Sequence, residues 1–253
     1  MNFVKRMGKK RIAVFSILFL LLVTAIILIS TLPLSSFSSN GFTFFKMDNG
    51  TYRITKYSGK ESYVEIPRTV RGVEVTEIMQ FAFENNPHIK TVVVHDNIEK
   101  IGLGAFKGCT SLESLTVPFV GGSNDHNLHL AYIFSDHVGL ALDSTPVPKS
   151  LRFLYITKGC TKISTSAFYL CSDLDEIHIP STVTTIDDGT GYTSIGVNGH
   201  LPSSRETYLP FYGCSKNLRI YCASSKKPEE WGTYWNYINS SDKAMVFWSS
   251  KEY

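Results

Sequence analysis

Histidine and carboxylate side chains are the first groups in this sequence that could do chemistry. His126, His129 and His137 fall close together, with Asp125 and Asp136 beside them. Imidazole and carboxylate are ligands for zinc and similar ions, and either can serve as a general base. The spacing H-x2-H-x7-H matches none of the short patterns that bring ligands to one side of an ion. It lies in "FVGGSNDHNLHLAYIF" (119–134), where glycine, serine, asparagine and aspartate favour turns, and it reads as a solvated loop. The acidic pairs Asp187-Asp188 and Glu229-Glu230 sit beside turn signals and read as solvated too. No G-x-S-x-G, H-E-x-x-H, C-x-x-C or phosphate-binding glycine loop occurs. The reading is of a protein that is not an enzyme, with no catalytic residue, no metal site and no cofactor.

A second set of residues points to binding. Four short segments carry apolar ladders: Ile89, Val92, Val94; Leu112, Leu115, Val117; Leu151, Leu154, Ile156; and Leu174, Ile177, Ile179. Their last two positions alternate with period two, as a strand requires. The residues between them point the other way: Thr91, Val93 and His95; Ser114 and Thr116; Phe153, Tyr155 and Thr157; Glu176 and His178. A strand face open to water is expected to be polar. Phe153 and Tyr155 break that expectation, and Val93 lies near the same stripe. Exposed aromatic side chains on a rigid sheet are the material of contact hot spots. The candidate binding stripe is therefore Val93, Phe153, Tyr155, Glu176 and His178. The alternative is that the segment 119–147 folds over the aromatic rings.

What positions these strands is a repeat. "IGLGAFKGCTSLESLTV" (101–117) and "ISTSAFYLCSDLDEIHI" (163–179) share one skeleton. Registered on the phenylalanine, the units place Phe83, Phe106, Phe134, Phe168 and Phe211 as equivalent knobs. Phe83 and Phe106 are 23 residues apart; later steps are lengthened by inserts at about 119–147 and 187–210. Proline after Ile66, Val117 and Ile179 closes strands, because it cannot donate to a ladder. A period in the twenties with this ladder marks a leucine-rich repeat. One such unit cannot bury its apolar side alone, but stacked units share a core.

The pattern I-x-x-x-AF-x-x-C-x-x-L-x-x-I-x-IP resembles the BspA-like leucine-rich repeats of bacterial surface proteins, over about residues 42–250. "GTYRITKYSGKESYVEIPRTVRGVEVTEI" (50–78) is similar to that family's opening unit, and "IYCASSKKPEEWGTYWN" (220–236) to its closing segment. The resemblance implies a leucine-rich-repeat stack and, for some relatives, adhesion or host-surface contact. Departures occur at Glu84-Asn85-Asn86, where glycine-cysteine is expected, and at "LRIYC", a ladder one residue short.

The expected fold is a mainly β solenoid of about five irregular coils. A hairpin at Asp48-Asn49-Gly50 covers its start. The aromatics Trp231, Tyr234, Trp235, Tyr237, Phe247 and Trp248 cover its end. Cys109, Cys171 and Cys214 follow the knobs and read as core thiols, with a Cys171–Cys214 bridge left open; Cys160 and Cys222 complete an odd count of five. Ahead of the repeats, "IAVFSILFLLLVTAIILISTL" (12–32) is 21 residues without a charge, enough for one membrane-spanning helix. Lys5, Arg6, Lys9, Lys10 and Arg11 precede it, which orients the N-terminus to the cytoplasm. Without those five, 20 basic residues face 22 acidic ones, so the body offers no basic field for nucleic acid.

The expected organisation is a cytoplasmic segment 1–11, a signal-anchor 12–32, a linker 33–41 and an extracellular repeat domain 42–253. Cleavage of the apolar segment would leave a secreted protein. The expected function is binding of an extracellular protein or polysaccharide, in the manner of an adhesin. A cell-envelope assembly or sensor part with a partner in the same cell is the second reading. An envelope-polymer hydrolase using the insert loops is the third.

Overall fold

Residues that alternate inward and outward at a fixed period can satisfy both faces of a strand only when strands of successive coils lie side by side in register. A computed structural model describes residues 36–126, 128–138, 145–189 and 205–253, and in it that arrangement is reached. The start is a meander: β1 (Ser36–Ser39), β2 (Phe42–Lys46) and β3 (Tyr52–Tyr57) are neighbours in one sheet. Asn40 (φ 50°) and Gly41 (φ 81°) make the tight turn between the first two strands. The stretch expected as a linker therefore contains a strand, and the cap has one strand more than the expected hairpin. The N-terminal apolar segment, residues 12–32, lies outside the described residues. Among the described residues no helix is long and apolar enough to cross a membrane.

The coils follow. Their strands are β4 (Tyr63–Glu65), β5 (Thr69–Val70), β6 (Val73–Ile78), β7 (Thr91–Val93), β8 (Lys100–Ile101) and β9 (Ser114–Val117), then β10 (Phe153–Ile156), β11 (Lys162–Ile163), β12 (Glu176–Ile179), β13 (Thr185–Ile186), β14 (Arg219–Cys222) and β15 (Met245–Phe247). Among the described residues, β4, β7, β9, β10, β12, β14 and β15 form one seven-stranded parallel sheet in that order. The protein is thus a mainly β solenoid of about seven turns, not the five expected. The two extra turns are carried by β4 and β15, whose segments "YVE" and "MVF" lack the full apolar ladder. On the other side of each coil, β3, β6 and β8 pair in parallel, and so do β11 and β13.

The core lies between these two faces. Val64, Val92, Leu115, Leu154, Ile177 and Ile220 stand in one register row, and each is at most 3% exposed. The knobs Phe83, Phe106, Phe134, Phe168 and Phe211 are buried alongside. Phe83 stacks on Phe106 at 4.9 Å, and Phe106 meets Phe134 at 6.2 Å. Phe168 stacks on Phe211 at 5.0 Å. The backbone joins the two runs where Leu130 N–H donates to the Ala167 carbonyl at 2.8 Å. The chain turns sharply around four of the five knobs. Two residues after them stand Asn85, Gly108, Leu170 and Gly213, all with φ between 55° and 72°. Asparagine tolerates this left-handed region better than most residues, which is why a coil without the expected glycine still closes at Asn85. Leu170 has no such excuse and holds a strained conformation there.

The cysteines after the knobs sit inside this turn. Cys109 Sγ donates to the Phe83 carbonyl at 3.1 Å, and Cys214 Sγ to that of Phe168 at 3.3 Å. All five cysteines are buried free thiols. Burial pushes Cys109 up to about 11 and Cys171 up to about 12, so neither is a thiolate at neutral pH.

Candidate binding face

The outward positions of the parallel sheet form two register rows. One runs Tyr63, Thr91, Ser114, Phe153, Glu176, Arg219, Met245; the other runs Glu65, Val93, Thr116, Tyr155, His178, Tyr221, Phe247. The first three strands contribute mostly small or polar side chains. From β10 onward the second row is entirely aromatic. Neighbouring parallel strands lie about 4.8 Å apart, close to ring-stacking distance, so identical positions fall into contact. Tyr155 stacks on His178 at 4.6 Å, His178 on Tyr221 at 4.7 Å, and Tyr221 on Phe247 at 4.9 Å.

Charges flank this ring ladder. Arg219 Nη2 is 2.6 Å from Glu176 Oε1, and Glu176 Oε2 is 3.4 Å from His178 Nε2. One row below, Arg152 grips Asp175 through two bonds of 2.7 Å each. His178 is only 9% exposed. Burial lowers its pKa, against the smaller opposing pull of the Glu176 carboxylate, so the ring is neutral at neutral pH. Its Nδ1 is buried without a hydrogen-bond partner.

Of the sequence-derived stripe, the structure brings Phe153, Tyr155, Glu176 and His178 together on adjacent strands β10 and β12. Val93 stands in the same row as Tyr155 but on β7, separated by Thr116 of β9. Sequence reasoning missed Tyr221 and Phe247. Tyr221 was obscured because "LRIYC" looked one residue short, although its tyrosine is two residues past Arg219 just as Tyr155 is past Phe153. Phe247 was assigned to the aromatic cap; it is 42% exposed and ends the ladder instead. The cap itself is built by Trp231, Trp235 and Trp248, whose rings lie 4.7–6.0 Å apart.

The described residues of the 119–147 insert do not supply the cover over Tyr155. They bond to the knob side of the coils, where Phe106 N–H donates to the Ile133 carbonyl at 2.8 Å, and to Gly159 through Asn124. Residues 139–144 lie outside the described residues. The cover comes from Tyr253, whose ring lies 4.6 Å from that of Tyr155 and edge-on to His178 at 4.9 Å.

The histidines of the insert go to different surroundings. His126 and His137 are exposed. Asp136 bonds His137 Nδ1 at 2.9 Å; that bond and Lys107 hold the Asp136 carboxyl down at about 2. His129 is largely buried with Nδ1 unpartnered, and burial brings it down to about 4. No group of three His, Cys, Asp or Glu side chains able to hold a metal ion occurs among the described residues. A groove of about 600 Å³ beside β6 and β8 includes His126, but its Glu77 is already paired with Arg53 at 2.5 Å and Lys100 at 3.7 Å. One acidic pair departs from expectation. Glu229 and Glu230 are exposed, whereas Asp188 is 1% exposed and accepts the Tyr234 N–H at 2.6 Å. Packed against Gly232, where no side chain would fit, it ties the second insert to the closing segment. The rest of that insert, residues 190–204, lies outside the described residues.

The family model described as BspA type leucine rich repeat region matches six copies, over residues 30–126 and 148–227. No curated protein matches. Similar crystal structures include a leucine-rich repeat protein from Bacteroides capillosus ATCC 29799, at 24% identity over 61% of this chain and 88% of that one, with a TM-score of 0.35. A leucine rich cell surface protein from Faecalibacterium prausnitzii A2-165 is 19% identical over 85% of this chain and 55% of its own, with a TM-score of 0.36. The leucine rich repeat protein of T. pallidum is 20% identical over 73% of this chain and 80% of its own, with a TM-score of 0.37.

Proposed function

Because the chain belongs to the BspA type leucine-rich repeat family, we propose that it is a cell-surface binding protein whose outer sheet face captures another protein. The observation that carries this reading is the run of Tyr155, His178, Tyr221 and Phe247. A solenoid needs apolar side chains on its inner rows, but nothing in its folding requires rings on the outer one. Aromatic side chains bring large contact area at small entropic cost, which suits an interface centre. Arg219, Glu176 and Arg152 around them supply the polar rim of such a patch.

In this proposal residues 1–11 are cytoplasmic, residues 12–32 anchor the chain in the membrane, and the repeats face outward. Protease added to intact cells then removes the repeat domain, and the mature protein retains the mass of residues 12–32. A mass lacking them would make it a secreted form. The binding reading is tested by replacing Phe153→Ala with Tyr155→Ala in the membrane-held protein and measuring partner capture against unfolding. Capture drops while the fold persists. Unchanged capture would remove this face from the function, and a partner from the same cell would shift the role to envelope assembly or sensing.

A further inference from the structure

The last residues of the structure behave unlike the rest of the solenoid. After β15, Ser249 takes a left-handed conformation (φ 56°), which turns the chain back over the sheet. Ser249 N–H donates to Ser224 and Ser250 N–H to Cys222, each at 3.0 Å, so the segment leaves along the end of β14. Glu252 then reaches the ends of two further strands. Its carboxylate accepts the Ser181 N–H at 2.9 Å and the Ser181 hydroxyl, and pairs with Lys158 Nζ at 2.8 Å. Tyr253 lands on Tyr155 and His178.

Two features distinguish this contact from a structural clasp. From Lys251 to Tyr253 the segment makes no backbone hydrogen bond among the described residues, so it is held by two side chains. Those side chains grip the surface: Tyr253 is 47% exposed and the Lys158 side chain 58%. The contact also leaves the site incomplete, because the buried Nδ1 of His178, whose ring Tyr253 meets edge-on, has no partner. While the segment is in place, the desolvation of that ring nitrogen is uncompensated.

We infer that Lys251–Tyr253 is a displaceable occupant of the ring ladder, and that the face takes peptide segments presenting a carboxylate one residue before an aromatic ring. The inference rests on the outer face being a binding surface. Lys158 and Ser181 form the carboxylate subsite, and Tyr155 with His178 forms the ring subsite. A partner that also satisfies His178 Nδ1 has an advantage over the chain's own segment.

The test uses the whole protein and a defined probe, the acetylated and amidated peptide Ser-Ser-Lys-Glu-Tyr. Binding is followed through the His178 imidazole resonances, in the native chain and in the Glu252→Ala/Tyr253→Ala variant, whose substitutions are at the surface. A tethered segment acts at an effective concentration on the order of millimolar. Removing it should therefore tighten apparent peptide binding by about tenfold. The gain disappears when the peptide carries Gln for Glu, when it carries Ala for Tyr, or when Lys158→Ala is added. Equal binding to native chain and variant, or binding to neither, would overturn the inference. Binding indifferent to Lys158→Ala would do the same. None of those results touches the capture assay with Phe153→Ala and Tyr155→Ala, so the broader reading of the face stands or falls separately.

Discussion

Two aromatic columns run along this solenoid, and the stacked pairs in them have nearly equal ring spacings. Inside, Phe83 meets Phe106 at 4.9 Å and Phe168 meets Phe211 at 5.0 Å. Outside, Tyr155, His178, Tyr221 and Phe247 are spaced at 4.6–4.9 Å. The spacing of these stacked pairs follows from a shared scaffold, since both columns repeat once per coil; the step from Phe106 to Phe134, in the coil with the first insert, opens to 6.2 Å. What differs is chemistry and water. The inner rings are phenylalanine and fully buried. Three of the four outer ones carry a hydroxyl or an imidazole, and their row is only partly covered. One column reduces the free energy of the fold; the other is the surface proposed for recognition. Their places in the coil differ as well: the inner rings stand in the turns between strands, and the outer ones on the strands β10, β12, β14 and β15.

The comparison can be broken by substitution. The largest effect is expected inside: Phe106→Ala leaves a cavity between coils and should cost about 3–5 kcal/mol, read as a drop in the denaturant midpoint. Next comes Asp188→Ala. It strips the acceptor from the Tyr234 N–H in a water-poor setting and should cost about 1–3 kcal/mol by the same measurement. On the outer column Tyr221→Ala should cost only about 1 kcal/mol, the scale of stacked ring pairs beyond their burial. Glu252→Ala, which breaks a solvent-facing pair, should cost about 0–1 kcal/mol. An outer-column loss as large as that of Phe106→Ala would erase the distinction between the columns.

The smallest effect sharpens it. Burial holds His178 below its ordinary value of 6.5. A depressed histidine means that the unfolded chain binds the proton more readily, so this residue supports stability above pH 6.5 and loses that support as the pH falls toward its folded pKa. Tyr253→Ala removes part of the cover. The His178 titration, followed by NMR, should then move upward toward 6.5. A downward move would mean that Tyr253 is not part of what buries the ring.

Much of the inner column was legible because its rule is local. Ala-Phe, a turn residue and a ladder recur at a spacing that the coil geometry imposes, and even the glycine-free coil at Asn85 obeys it. The outer column was half legible. Phe153 and Tyr155 stand out in a full ladder, whereas Tyr221 sits in a shortened one and Phe247 in a strand with a single inward residue. Period counting needs three apolar positions to register, so β4 and β15 escaped it. The Tyr253 contact escaped for a different reason. It joins residues 98 and 75 positions apart through side chains at a chain turn, and no periodicity encodes such a return. Asp188 was misread because a carboxylate in a turn-rich stretch is usually solvated, and only the fold brings Tyr234 N–H to it.

The claim that the outer rings serve recognition and not folding is tested most directly by one paired measurement on the Tyr155→Ala/Tyr221→Ala protein: partner capture and unfolding free energy in the same preparation. The account predicts capture reduced by at least about tenfold, or about 1.4 kcal/mol, with unfolding lowered by no more than about 1–2 kcal/mol. Capture at the native level, or a loss of capture that merely follows a collapse in stability, would contradict it.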